Sequence, residues 1–330
     1  EEQLKVFATN LEVSLTDGTK SQVDQAGKVA VNAKSLFDII KELPDGEVLL
    51  EKQENNWLKI TQGKAVFNIV GISPEEYPVF PSFNTQEFIQ MEATVFYEMI
   101  EKTIFSVSND ETRYHLNGVY FERQNESGKA NYRMVATDGH RLSLVSRVGK
   151  PVENEDNFSD GVIIPRKGLL EIRKLIENVD ETFEMALEGA QLIVKYGSTV
   201  LMIRLIEGKY PNYKQLIPQN LNENISLNRE TLLSSLKRVS LLSNQKSKGV
   251  TFSFSKGKME ITSNNPDLGE AHEEIDVDYG GKNFKIGFNA RYVLDVLSNI
   301  HEDDVSFELK DQLSPGLMSP GNDSDYTCVI

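Results

Sequence analysis

The sequence predicts an α+β chain of three tandem similar domains, each pairing helices with antiparallel sheet. Three observations predict it. A twelve-residue helical pattern occurs at 32–43, 165–176 and 289–300, at steps of 133 and 124. A short strand running into a polar turn occurs at 5–9, 133–137 and 259–263, at steps of 128 and 126. Two glycine-centred hairpin patterns, 58–70 and 192–205, each lead to a Tyr-Pro pair, Tyr77-Pro78 and Tyr210-Pro211, again 133 apart. Repeats of this length are domains rather than solenoid units, which run about 20–50 residues.

Each element has its own justification. In the first copy Ala33, Leu36, Phe37, Ile40 and Leu43 recur at the spacing of a helix with one buried face. Ala290, Val293, Leu294, Leu297 and Ile300 repeat those positions. The middle copy keeps Leu169, Leu170, Ile172 and Ile176, with Pro165 where a helix start tolerates proline. A second helix stands ahead of the later copies, at 93–102 and 229–238. The chain opens directly at the strand 5–9, so the first unit reads as one without a helix and two strands at its front. Residues 326–330 have the composition of a strand. Short connectors bearing Pro and Asn, 78–84 and 217–222, divide the chain into 1–86, 87–218 and 219–330. The stretches 153–157 and 313–323 read as solvated loops.

Composition excludes several classes. No apolar run approaches the roughly 20 residues of a membrane span, and the acidic start EEQLKVFATN is no signal peptide. Cys328 is the only cysteine, so neither an internal disulfide nor a cysteine metal site is expected. The four histidines form no metal-binding spacing. No nucleophile elbow or glycine-rich phosphate loop is present. These features describe a cytoplasmic protein without metal or cofactor. Asp138-Gly139-His140-Arg141 is the most enzyme-like stretch, but Asp-Gly after a strand makes a tight turn, and no catalytic role is expected. Apolar residues around 138–142 have two readings: a surface pocket with Tyr210–Tyr213 and the C-terminal strand, or the core of a domain junction.

The net charge of −15 argues against a simple nucleic-acid binder, yet its distribution is uneven. The helical windows 165–178 and 229–248 carry +2 and +4. Helices grouped on one side would make that face basic and the rest acidic. Local pairing on solvated helices is the plainer reading.

The stretch 134–142, MVATDGHRL, closely resembles the β subunit of bacterial DNA polymerase III, the sliding clamp family. So do Ile163–Gly168, Tyr114–Gly118, Ser263–Pro266 and Gly287–Leu297. The resemblance runs end to end. It implies a clamp fold of three similar domains per chain, two chains closing head to tail, with helices lining a central hole and sheets facing outward. It implies a processivity factor rather than an enzyme, one that encircles duplex DNA without reading sequence and slides along it. The implied partners are the replicative polymerase α subunit, the clamp loader, and repair and translesion polymerases, held by short linear peptides.

By position, the resemblance places the partner-peptide cleft at Leu116, Thr137, Gly139, His140, Arg141, Leu142, Pro211, Gln215, Leu216 and Val329. Gln215 stands where some members carry arginine. DNA-facing positions are Lys34, Asp110, Arg113, Tyr114 and His115, with Arg166 and Lys167 added on charge grounds. The ring interface would join Phe67 and Ile69 of one chain to Leu241 and Leu242 of the other, flanked by Asp267, Glu270 and Glu273. The competing class is an acidic multi-domain interaction scaffold that does not encircle DNA.

Overall fold

The computed structural model describes residues 2–79, 81–85, 87–126, 129–149, 158 and 160–330. The acidic loop expected at 153–157 lies outside the described residues.

The repeated helices form where the apolar spacing places them. They are α1 (Ala33–Glu42), α2 (Ala93–Ile104), α3 (Arg166–Ile176), α4 (Arg229–Val239) and α5 (Ala290–Ser298). Asn32, Asn228 and Asn289 cap α1, α4 and α5, each side chain accepting a first-turn backbone N–H. Pro165 sits one place earlier than expected, as the extended residue before α3. Both hairpins form, and Gly63 and Gly197 take the positive φ their turns require, 55° and 59°.

Neighbouring repeats build their sheets jointly. A six-stranded sheet joins Gln3–Thr9 and Val13–Lys20 of the first repeat to Thr199–Arg204, Gln191–Tyr196, Thr182–Glu188 and Ile89–Glu92 of the second. An eight-stranded sheet joins the second and third repeats, with Leu142–Val148 paired to Tyr326–Val329 at the seam. At the first seam Leu15 lies opposite Leu201, and at the second Ser143 lies opposite Cys328. Besides a short two-stranded pairing of Ala30–Val31 with Gly71–Ile72, two half-sheets remain among the described residues. One is a three-stranded sheet ending at Ala65–Ile69, the other a four-stranded sheet ending at Gly269–Asp276.

The strand 258–265 corrects one sequence expectation. Met134 faces the core opposite Phe121, and Ile261 faces it opposite Phe252. The structural step is therefore 127, not the 126 read from sequence. A one-residue slip reverses every side chain on a strand.

The main core runs through the second and third repeats. Leu169 and Ile172 of α3 are fully buried, and α3 packs on α2. In α1 no residue is buried, and Phe37 is 63% exposed.

Candidate functional site

The turn between strands Lys129–Thr137 and Leu142–Val148 is built by its own side chains. Asp138 accepts the backbone N–H groups of His140 and Arg141 at 2.9 and 3.1 Å. The Thr137 hydroxyl donates to the Arg141 carbonyl at 2.6 Å and accepts the Gly139 N–H at 3.0 Å. Gly139 has φ of 87°, and a Cβ there would stand 2.5 Å from an Arg113 nitrogen. Asp138-Gly139 is thus a turn former, with the carboxylate committed to the turn.

Beneath the turn lies an apolar cluster separate from the main core: Leu116, Val135, Leu142, Ile163, Tyr210, Tyr213 and Val329. Three sequence-predicted cleft residues, Leu116, Leu142 and Val329, meet in it. Val329 arrives by strand pairing directly opposite Leu142. Thr137, Gly139 and His140 form the turn above, His140 exposed. Pro211, Gln215 and Leu216 belong to the segment that carries Tyr213 in, a short 3-10 turn at Tyr213–Gln215. Gln215 and Leu216 are exposed and do not belong to the cluster.

Val135 and Ile163 are not among the sequence-predicted residues. For Val135 the signal is parity, since Met134 and Ala136 on either side face the main core. Tyr213 donates to Glu122 at 2.5 Å and accepts from Arg133 at 3.1 Å. Burial, and then Glu122, push its phenol up to about 12, so it stays a donor at neutral pH. Tyr120 stacks on Tyr210 with centroids 5.1 Å apart.

Arg141 does not join this cluster. Its guanidinium turns to α5, donating to Asp295 at 2.6 Å. It also donates to Asp138 at 3.1 Å and to the Phe105 carbonyl at 2.6 Å.

The corresponding face of the third repeat has opposite chemistry. Strand pairing sets Thr251 against Thr262 and Thr262 against His272, as Tyr120 is set against Val135 and Val135 against Leu144. With Ser247 and Glu270 these residues line a polar cavity of about 600 Å³. The apolar cluster belongs to the second seam.

The proposed DNA-facing residues of the second repeat share one surface. Asp110 caps the 3-10 segment Glu111–Leu116 and pairs with Arg113 at 3.0 Å. Hydrogen bonds from Thr112, with that from Arg113, hold its carboxyl below the usual range. Tyr114 is exposed, edge-on to His115. Arg166 ties the start of α3 to this segment, its backbone N–H on the Asn117 carbonyl at 3.1 Å and its side chain on Asn109 at 3.2 Å.

Lys167 is exposed and reaches Glu12 at 2.8 Å. Lys34 holds the equivalent place in α1 and is exposed. Repeat alignment assigns the same place in α5 to Arg291, a cation that charge counting passed over. Several helical cations are paired, Arg173 with Glu101 and Lys174 with Glu171 at 2.6 and 2.9 Å. The exposed Lys174 pair is worth only about 0–1 kcal/mol, whereas the Arg173 pair is half-buried.

The residues assigned to a ring interface lie at the free sheet edges. Phe67 and Ile69 are on the edge strand Ala65–Ile69. Leu241, 76% exposed, and Leu242 follow α4, whose side chains reach the other edge strand, Gly269–Asp276. Asp267, just before that strand, and Glu270, on it, are both exposed. Glu273 is bound within its own chain, by Arg238 and by Ser235 at 2.7 Å.

Three repeats sharing composite sheets, with an apolar cluster at the second seam, define a clamp-type fold. Family models described as the N-terminal, central and C-terminal domains of the DNA polymerase III beta subunit match residues 1–81, 90–212 and 214–330. The beta sliding clamp of Caulobacter vibrioides is 34% identical over 96% of this chain and 85% of its own length. That of Vibrio cholerae is 30% identical over 100% and 88%. Among solved structures, Caulobacter crescentus pol III beta superposes with TM-score 0.92 at 32% identity, covering 100% of this chain and 88% of its own. A Bartonella birtlesii clamp bound to griselimycin gives 0.92 at 30% identity, with the same coverage. The chain belongs to the DNA polymerase III β subunit family, the bacterial sliding clamps, and is a processivity clamp of DNA polymerase.

Proposed function

We propose that two copies close head to tail around duplex DNA and tether replication and repair proteins at the second seam. The observation that carries this is the pair of half-sheets. Each seam within the chain joins the last strand of one repeat's hairpin to the front strands of its neighbour. Ala65–Ile69 and Gly269–Asp276 are the two sides of a third such seam, left open. A second copy supplies each missing side, and the arrangement closes with two seams rather than growing into a filament. By the internal register, Ala271 would lie opposite Phe67 of the partner subunit, as Leu15 lies opposite Leu201. Phe67 is 37% exposed where its counterpart Leu201 is buried, which is the face a partner would cover.

The ring holds DNA topologically, so the cations on α3 and the equivalent Lys34 and Arg291 need only weak, exchangeable phosphate contacts. The joints near 86–87 and 218–219 are the domain limits of this assembly. The role is non-enzymatic and is exerted in the bacterial cytoplasm on replicating DNA.

The cluster under the 137–142 turn would take apolar anchors of short peptides from the polymerase α subunit, the clamp loader and translesion polymerases. Replacing His140 and Leu142 together by alanine is expected to abolish cleft binding while leaving the assembly state unchanged. Griselimycin, which the Bartonella birtlesii clamp binds, serves as the calorimetric probe. Unchanged affinity in the double variant would remove the cleft assignment.

A further inference from the structure

Arg141 is 8% exposed, and all three of its guanidinium nitrogens are occupied. One partner is Asp138 of its own turn, one is the Phe105 carbonyl after α2, and one is Asp295 of α5. The Tyr292 ring of α5 lies 4.6 Å from the guanidinium carbon, and the same ring stacks on His140 at 6.5 Å and 16°. Both side chains at the tip of the turn are therefore held by one helix of the next domain. Leu142, the floor of the apolar cluster, is the next residue along. Three of the guanidinium's five N–H groups are held inside the protein, and loss of a partner would leave a charge uncompensated and the turn free to move.

We infer that Arg141 is a positioning residue, through which Asp295 and Tyr292 of α5 set the height of the 137–142 turn and thereby the affinity of the cleft. This rests on the cleft reading above and adds to it a regulator on another domain. Asp295 also lies 4.0 Å from Arg291, the exposed cation one turn earlier on α5. The carboxylate thus stands between a cation on the helix surface and the strut of the cleft. Coupling of this kind is a difference in affinity carried by a shared element, and it is reciprocal.

The test uses the full chain and griselimycin in calorimetry, with amide exchange of residues 138–142 as a second readout. Asp295→Asn keeps shape and removes charge. It is expected to weaken binding about tenfold, within the 5- to 150-fold span of such couplings, and to speed exchange in the turn. Tyr292→Leu creates no buried charge and should act in the same direction. Arg141→Lys retains a cation toward Asp295 but not the fork, and should fall between the wild type and Arg141→Met. If both α5 variants bind as the wild type does while Leu142→Ala loses binding, the coupling is overturned and the cleft stands. If Leu142→Ala binds normally, the cleft reading and the coupling fall together.

Discussion

Lys102 is a cation inside the protein, 5% exposed at its side chain. It reaches Glu98 at 2.7 Å and Asp323 at 2.9 Å, and Arg147 reaches the same two carboxylates at 2.6 Å. The Tyr326 ring lies 4.8 Å from the ammonium. Glu98, Lys102 and Arg147 come from the second repeat and Asp323 from the third, so the quartet fastens the second seam. Burial opposes ionisation of both carboxyls, but hydrogen bonds from Arg147 and Lys102 outweigh it and hold both below the usual range. A lowered carboxyl contributes stability above its unfolded value, and that contribution is lost as pH falls through the folded one. Asp323→Asn is expected to cost about 3 kcal/mol at pH 7, the low end for a broken buried pair because Glu98 remains. The gap in melting temperature between variant and wild type should close below about pH 4. A gap constant from pH 7 to pH 3 would contradict this. At this scale the sequence was partly legible. Leu116, Leu142 and Val329 announced themselves as apolar residues of the resembling motif. The direction of Arg141 and the burial of Lys102 were not legible, because both depend on acids more than 150 residues away.

The elements were the most legible level, since helix spacing and glycine turns are local. What sequence could not fix was strand register. The third copy, 259–263, aligns by residue type at one step and by face at the next, and only pairing with Phe252 decides between them. Tight approach between elements was also invisible. Gly168 lies on α3 where a Cβ would meet an Ile203 methyl at 2.5 Å. Gly168→Val should therefore lift α3 off its sheet and cost about 1–3 kcal/mol, the range for overpacking. Gly189→Ala, at a hairpin turn with φ of 58° and open space around it, costs through the backbone alone. Denaturant unfolding checks both, and a neutral Gly168→Val would show that α3 is not packed as described.

Across the whole molecule, triplication explains what composition obscured. A net charge of −15 argued against DNA, but three basic residues recur at one helical place, Lys34, Lys167 and Arg291. Triplication also separates the seams by chemistry. The second carries apolar residues where the third repeat has Ser247, Thr262 and Glu270 around a polar cavity, so the proposed partner site belongs to the second seam rather than to the third repeat's open edge. The sequence suggested one junction, of 138–142 with Tyr210–Tyr213 and the C-terminal strand, whereas the shared sheets and their open edges at 65–69 and 269–276 became visible only once the strands were ordered. The most direct test of a ring is to load the protein onto nicked circular DNA with a clamp loader, wash in high salt, and then cut the circle at one site. Encirclement predicts that protein stays with the intact circle and leaves on linearisation. Release from the intact circle in high salt, or retention on the cut DNA, would contradict it.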